Sequence, residues 1–203
     1  VFQFDFLNDS LFDEDSKKSK VPKELQAICA DPERRKHLLI YINPPYAEGD
    51  NRNGEGRSGV AANTEISKRF GSLMGYAKRE LYIQFLTRIY REIPGAVIAD
   101  FSTLKNLQAP KFSDFRRMFQ ATPKTMFIVP ADTFDNVKGD FPIGFKIWRT
   151  ADIEPFNGIL SDVYNEKGEA QPQKEIFSYE GLKLINDWTT TFIDDKQESI
   201  ATI

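Results

Sequence analysis

This chain has a single cysteine and no long apolar run, and each of these absences excludes a class of protein. Cys29 is the only cysteine among 203 residues, so no disulfide can form within the chain, and a reducing compartment such as the cytoplasm is expected. No apolar run is long enough to span a bilayer, and no signal peptide is recognisable. These features predict a cytoplasmic protein without membrane contact.

The chain also lacks a strong positive charge. It has 27 Lys and Arg against 30 Asp and Glu, which gives a formal net charge of −3. Dedicated DNA-binding modules are usually basic, so this chain is not expected to hold most of a DNA-binding surface by itself. Lys78-Arg79 with Arg88 and Arg91, or Arg116-Arg117, offer local phosphate contacts, although solvated helix faces are the simpler explanation of these charges.

Apolar periodicity predicts strands that alternate with helices, the pattern of an α/β domain. The run at 37–42 is nearly continuous and predicts a strand buried on both faces. The strands at 124–129 and 143–148 are expected to form an antiparallel hairpin at a sheet edge. The other predicted strands cover residues 2–7, 96–101, 159–164 and 175–179, and the predicted helices cover residues 22–30, 63–74, 78–93, 112–119 and 182–192.

The most informative segment is Asn43-Pro44-Pro45-Tyr46, which directly follows the apolar strand. Open α/β sheets bind ligands at the carboxyl ends of their strands. A conjugated amino group becomes a nucleophile only as it turns tetrahedral and gains positive charge. The Asn43 side-chain oxygen and the Pro44 carbonyl can accept from its hydrogens and stabilise that charge. The two prolines restrict the backbone, and Tyr46 offers an aromatic face to a flipped-out base. The alternative is an ordinary proline-rich turn after a strand.

Further segments occur in a recognisable order on both sides of this motif. They are Asp5-Phe6-Leu7, the run 81–86 (Leu-Tyr-Ile-Gln-Phe-Leu), Phe115-Arg116 and the strand-like segment 141–150. With Asn43-Pro44-Pro45-Tyr46, they make the chain resemble, from about residue 4 to residue 150, the adenine-specific amino-group DNA methyltransferases of the gamma arrangement found in bacterial restriction-modification systems.

The resemblance implies a fold and a domain organisation. The fold would be α/β, a partial Rossmann-like sheet of an S-adenosylmethionine-dependent methyltransferase, with an antiparallel hairpin towards the C-terminus. Residues 1–150 would form the C-terminal part of the catalytic domain. Residues 151–203 would form a hairpin-plus-helix appendage or the start of a following region. Residues 47–59, with four glycines beside the motif, are expected to form a lid.

The resemblance also implies a cofactor site for S-adenosylmethionine. Asp5 would accept a hydrogen bond from the cofactor's amino group, with Phe6 beside it, while Asn43 and Tyr82 would complete the pocket. A carboxylate that only caps a loop is the alternative for Asp5. No metal is needed for direct methyl transfer, and the lone His37 is expected to be structural.

The substrate implied by the resemblance is DNA with one adenine flipped out of the duplex. Tyr46, Trp148 and Phe141 are the candidates to stack on that base. Trp148 matches the stacking position best and Phe141 second, and packing of Trp148 at the sheet edge remains an alternative. Sequence recognition would belong to a separate specificity domain or subunit.

Two departures from the family pattern keep other functions open. No glycine-rich strand-to-helix turn precedes Asp5, so the chain is expected to be a fragment. Asp100-Phe101-Ser102 also stands where the family often has Val-Pro-Ser or Val-Pro-Ala. The alternatives are a methyltransferase acting on a glutamine amide or on RNA guanine, and a catalytically incomplete structural or interaction fragment. Asn rather than Ser at position 43 argues against the N4 amino group of cytosine as the group that is methylated.

Overall fold

Six strands and seven helices follow one another in the computed structural model, which describes residues 1–15, 18–45, 63–134, 141–178, 185–189 and 192. The strands are β1 Leu39–Ile42, β2 Val97–Thr103, β3 Ala121–Pro130, β4 Pro142–Ile153, β5 Gly158–Tyr164 and β6 Ala170–Phe177. The helices are α1 Lys23–Ala30, α2 Pro32–Arg35, α3 Glu65–Met74, α4 Leu81–Glu92, α5 Lys105–Gln108, α6 Ser113–Met118 and α7 Ile185–Thr189. Short 3₁₀ turns cover Gly75–Arg79, Pro110–Phe112 and Ala131–Thr133.

The strands form one sheet in the order β1-β2-β4-β3-β5-β6. β1 and β2 are parallel and are connected through α3 and α4, while β4 runs antiparallel to both of its neighbours. β5 joins β3 in parallel and forms an antiparallel hairpin with β6. The predicted fold class, a partial Rossmann-like α/β sheet with an antiparallel hairpin towards the C-terminus, is confirmed.

The core lies between one face of the sheet and helices α4 and α6. Tyr82, Ile83, Leu86 and Ile89 of α4 are fully buried because they fall on one face of that helix. They share a cluster with aromatic side chains of α6 and β4, so burial of apolar area fixes the helices on the sheet. Thr64 caps α3 by accepting from the Ser67 amide at 2.9 Å.

Position in the sheet differs from two of the sequence predictions. The hairpin of β3 and β4 exists, but it is not at a sheet edge, because β4 pairs with β2 on its other side. β1 is also not buried on both faces, since the side chains of Leu39 and Tyr41 are 61% and 63% exposed. Apolarity predicts a strand, but it does not reveal which of its faces the rest of the chain covers.

The strand predicted at residues 2–7 is wrong. Residues 1–5 have no regular structure, and a turn begins at Phe6. The Asp5 side chain accepts from the amides of Leu7 and Asn8, at 3.0 and 3.2 Å, and these bonds close the turn in place of a strand ladder. Alternating phenylalanines produced the strand-like pattern, and their rings pack edge to face on one another.

The predicted hairpin between β5 and β6 is confirmed, with Gly168 in its turn at a φ of 75°. Of the predicted helix 182–192, α7 covers Ile185–Thr189, and the remaining residues except 192 lie outside the described part of the chain. The described helices include none that is long and apolar enough to cross a bilayer.

Candidate active site

The predicted Asn-Pro-Pro segment lies at the carboxyl end of β1, beside β2. Ile42 pairs with Asp100, so the chain leaves the sheet at Asn43 while β2 continues to Thr103. Asn43 is exposed and Pro44 is buried, so the backbone is anchored while the amide side chain reaches solvent at this edge. Tyr46 and the lid predicted at 47–59 lie outside the described residues.

A pocket of about 600 Å³ opens at the same end of the strands, past the carboxyl end of β2. Its volume falls in the range of about 300–1,000 Å³ that is usual for small-ligand sites. Phe141 is half-buried in its wall, directly before β4 begins. The other lining residues are Thr103, Leu104, Lys105, Gln108, Ala109 and Pro142.

Most of these lining residues were missed by the sequence analysis, which left the stretch between the predicted strand 96–101 and the predicted helix 112–119 unassigned. The signal that could have found them is position, because they directly follow the carboxyl end of a buried strand. Here residues of the short helix α5, with Leu104 before it and Ala109 after it, form one side of the pocket.

A buried polar network lies beneath this pocket and joins β2 to β4. The Trp148 indole donates to Asp100 Oδ1 at 2.7 Å, and the Ser102 hydroxyl donates to Asp100 Oδ2 at 2.6 Å. Lys146 Nζ donates to the Ser102 hydroxyl at 2.7 Å and to the carbonyls of Ser102 and Thr103 at 3.1 and 3.3 Å. The network therefore holds the backbone of β2 where it meets the pocket.

Two residues of the Asp100-Phe101-Ser102 segment take part in this network. Asp100 and Ser102 supply the acceptors that the buried Trp148 and Lys146 need, because buried polar groups are costly without partners. Burial lowers the pKa of Lys146, while the Asp100 carboxylate at 3.6 Å opposes that change. The four side chains thus depend on one another.

The two described candidates for base stacking occupy different environments. Trp148 is 2% exposed and packs edge to face on Phe119, with ring centroids 5.2 Å apart. Phe141 borders the open pocket. This arrangement favours Phe141 over Trp148 as the stacking residue, the reverse of the order taken from the sequence, and both roles remain predictions.

Tyr82 contacts the pocket only through a neighbour. Its side chain is fully buried, and its hydroxyl accepts from Thr103 Oγ1 at 3.3 Å. Burial raises the pKa of Tyr82 well above its ordinary value, so the phenol stays protonated. Tyr82 therefore supports a residue of the pocket wall, and its contact with a cofactor remains a prediction.

Asp5 and Phe6 form a second group, packed beside α4. The Asp5 carboxylate closes its own turn, and the hydrogen bond from the Asn8 side chain to Oδ2, at 2.9 Å, is the largest cause of its lowered pKa. Phe6 stacks on Phe85 with centroids 4.9 Å apart. Asp5 thus has the loop-capping role named as its alternative, while its exposed carboxylate can still accept from a ligand.

Two of the arginines considered for phosphate contacts are instead structural. Arg88 is 1% exposed and donates to the carbonyls of Phe6 and Asp9, which ties the N-terminal turn to α4. Arg116 is also buried and donates to the Ala109 carbonyl at 2.9 Å, which supports the pocket wall. Neither a solvated face nor a phosphate contact explains these two side chains.

Comparison with known proteins gives fold-level likenesses only. No protein-family model matches the chain, and no curated protein matches it. A cryoEM structure of a DrdV–DNA complex matches 67% of this chain with 13% sequence identity and a TM-score of 0.48. The M protein of the type I restriction enzyme EcoKI matches 63% with 17% identity and a TM-score of 0.37. The type IIG restriction endonuclease BpuSI matches 68% with 16% identity and a TM-score of 0.40.

The chain spans only 16% to 24% of the length of these three proteins.

Proposed function

We propose that this chain is the C-terminal part of a catalytic domain that transfers methyl from S-adenosylmethionine to the N6 amino group of adenine in DNA. One observation carries the proposal. Asn43-Pro44-Pro45 leaves the sheet at the same edge as a pocket of about 600 Å³ that has an aromatic side chain in its wall. Amino acceptors and an aromatic surface are the two features that an enzyme acting on a flipped base needs.

The acceptors act on the amino group of the base. The Asn43 side-chain oxygen and the Pro44 carbonyl accept from its two hydrogens, and this interaction strengthens as nitrogen turns tetrahedral and gains positive charge. Asn43 and Pro44 would hold the amino nitrogen while its lone pair takes the methyl group directly from the cofactor's sulfonium, whose sulfur would keep the electron pair of the broken bond. Because the transfer would be direct, no covalent enzyme intermediate is required, and the surplus proton would leave nitrogen for water.

The pocket at the end of β2 would receive the flipped adenine. Phe141 offers the stacking face, and the Gln108 side chain offers both a donor and an acceptor to the edge of the ring. The Lys146 network beneath the pocket holds the Ser102 and Thr103 carbonyls in place. Holding the base rigidly against the acceptors would supply much of the rate.

S-adenosylmethionine, when bound, supplies the electrophilic methyl group. The described residues fit its adenine end, because the exposed Asp5 carboxylate is an acceptor for an amino group and the Phe6 ring lies next to it.

The test is methyl transfer to mixed-sequence duplex DNA by the full-length protein that contains this chain. Labelled methyl should appear as N6-methyladenine, and Asn43→Ala should reduce the rate by about 100-fold or more, the scale of losing one donor or acceptor in a charge-stabilising site. Asn157→Ala is the matched control, because Asn157 is exposed at the start of the second hairpin.

Other results assign the chain to one of the rival functions. If the protein binds the cofactor but does not methylate DNA, and the label appears in a glutamine amide or in RNA guanine, then that group is the substrate and DNA adenine is not. Absence of both cofactor binding and transfer would leave a catalytically incomplete fragment. Equal rates for Asn43→Ala and wild type would sink the proposed mechanism.

A further inference from the structure

Two cationic side chains lie over the ring of one exposed tyrosine. The Tyr76 ring is 41% exposed and belongs to the 3₁₀ turn Gly75–Arg79. The Arg79 guanidinium lies 5.1 Å from the ring centroid, and Lys111 Nζ lies 4.8 Å from it. The electron-rich face of the ring partly offsets the repulsion between the two like charges.

The chain connects Lys111 to the pocket at the end of β2. Lys111 lies two residues after Ala109, which lines the pocket. Lys105 lines it too, and its Nζ pairs with Glu80 Oε1 at 2.7 Å, directly after Arg79 in the chain. Tyr76, Arg79, Lys105 and Lys111 are linked by these ring contacts and by the Lys105–Glu80 pair, and they are called here the cationic rim.

Two acidic groups near the rim are paired. Glu80 is buried against Lys105 of the rim itself, and Asp114 pairs with Arg117 at 3.0 Å. Lys111 is exposed, so its ammonium group can add a contact to a ligand in solution. A cluster of cations around one site is notable in a chain whose formal net charge is −3.

We propose that the cationic rim binds the DNA phosphodiester backbone next to the flipped base. This inference rests on the proposed function and extends it to a surface of which the sequence analysis had named only Arg79 as a phosphate contact. When a base turns into the pocket, the phosphates on either side of its nucleotide lie near the pocket mouth. Lys111 then meets a phosphate as a point charge, and the Tyr76 hydroxyl donates to a phosphate oxygen.

The surface chemistry favours a backbone contact over reading of base edges. Ammonium and phenol groups on a rim give a charge contact that is the same for every sequence. Such a contact contributes to affinity and salt dependence, because counterions are released from DNA as phosphates are neutralised. This role agrees with the expectation that sequence recognition lies in a separate domain or subunit.

The experiment measures binding of the full-length protein to a duplex that contains one mismatched adenine, at several salt concentrations. Lys111→Gln should weaken binding by the same factor for different flanking sequences and should lower the slope of log Kd against log salt by about one. Lys111→Arg should keep both values, because the charge is kept. Lys174→Gln, an equal charge change on the exposed strand β6, is the matched control and should behave as wild type.

Two outcomes would overturn the inference, and only one of them would also overturn the proposed function. If wild type binds and methylates DNA while Lys111→Gln has the same Kd and salt slope as Lys174→Gln, the rim is not a phosphate site and the proposed function stands. If wild type binds no DNA at all, the rim and the proposed function fail together. Thermal unfolding of each variant shows whether its fold is kept, which is expected because both lysines are exposed.

Discussion

Lys146 places a positive charge inside the sheet, where an isolated ammonium group would be costly. Its side chain is fully buried, so water does not solvate the ammonium group. That group instead donates hydrogen bonds to Ser102 and Thr103 and forms an ion pair with the Asp100 carboxylate. At the scale of the residue, its role depends on these partners because burial alone lowers its pKa. Removal of one member of the network should therefore cost more than removal of two.

Lys146→Met is expected to lower the free energy of unfolding by about 3–5 kcal/mol, because it leaves the buried Asp100 carboxylate without its cation. The double variant Lys146→Met with Asp100→Asn should recover much of that loss. Lys124→Met is the control, since Lys124 forms a half-exposed pair with Asp152 at 2.8 Å and should cost about 1 kcal/mol or less. Urea unfolding measures all three, and strictly additive losses in the double variant would contradict the coupling.

The Asp5 turn gives a second prediction at the scale of the residue. Because the Asn8 side chain is the largest cause of the lowered pKa of Asp5, Asn8→Ala should raise that pKa towards its ordinary value of about 3.9. An NMR titration of the carboxyl carbon measures it, with Asp152, whose pKa is lowered chiefly by Lys124, as the unaffected reference.

The sign of the effect on stability follows from the same shift. The folded-state pKa of Asp5 lies below the unfolded value, so its contribution is present above the unfolded pKa and is lost as pH falls through the folded pKa. Asn8→Ala should remove part of this contribution. An unchanged pKa for Asp5 would show that the bonds from the backbone amides dominate.

At the scale of the element, the turn from α3 to α4 depends on one glycine. Gly75 has a φ of 55°, and an added Cβ would clash with the Asp114 carboxylate. Only glycine adopts this conformation without strain while leaving room for α6. The same turn carries Tyr76, so its backbone also sets the position of the cationic rim.

Gly75→Ala is expected to lower the free energy of unfolding by about 1–3 kcal/mol, because the alanine is strained and displaces Asp114. Gly71→Ala, one helical turn earlier in α3, is the matched control. There an added Cβ meets Lys78 Cδ at an ordinary 3.5 Å, and the variant should be neutral or more stable by up to about 1 kcal/mol. Equal effects of the two changes in urea unfolding would contradict the role of the positive φ.

Elements with strong periodicity were predicted well from the sequence, but which elements lie next to one another in the fold was not. α4 and the hairpin of β5 and β6 agree with the patterns that predicted them. The position of β4 between β2 and β3 could not be predicted, because strand pairing joins segments that lie far apart in the chain. The strand predicted at residues 2–7 is wrong for a local reason. The Asp5 side chain closes a turn there, although the alternating pattern is typical of a strand.

At the scale of the whole molecule, two groups of predicted site residues lie in different places. Asn43 and Phe141 share the carboxyl edge of the sheet, and Tyr82 reaches the same pocket through Thr103. Asp5 and Phe6 pack on another part of α4, held by Arg88. Asp5 and Phe6 thus lie apart from the proposed base pocket, while the other two proposed cofactor contacts, Asn43 and Tyr82, lie at the same end of the sheet as that pocket.

The sequence alone determined the position of the Asn-Pro-Pro segment and the α/β class, because both depend on local chemistry and on short-range apolar patterns. Only the tertiary structure decided that Trp148 belongs to a buried network, that Phe141 borders a pocket, and that Tyr76 lies between Arg79 and Lys111. The physical reason is that burial and charge pairing depend on which distant segments meet, and no local pattern carries that information.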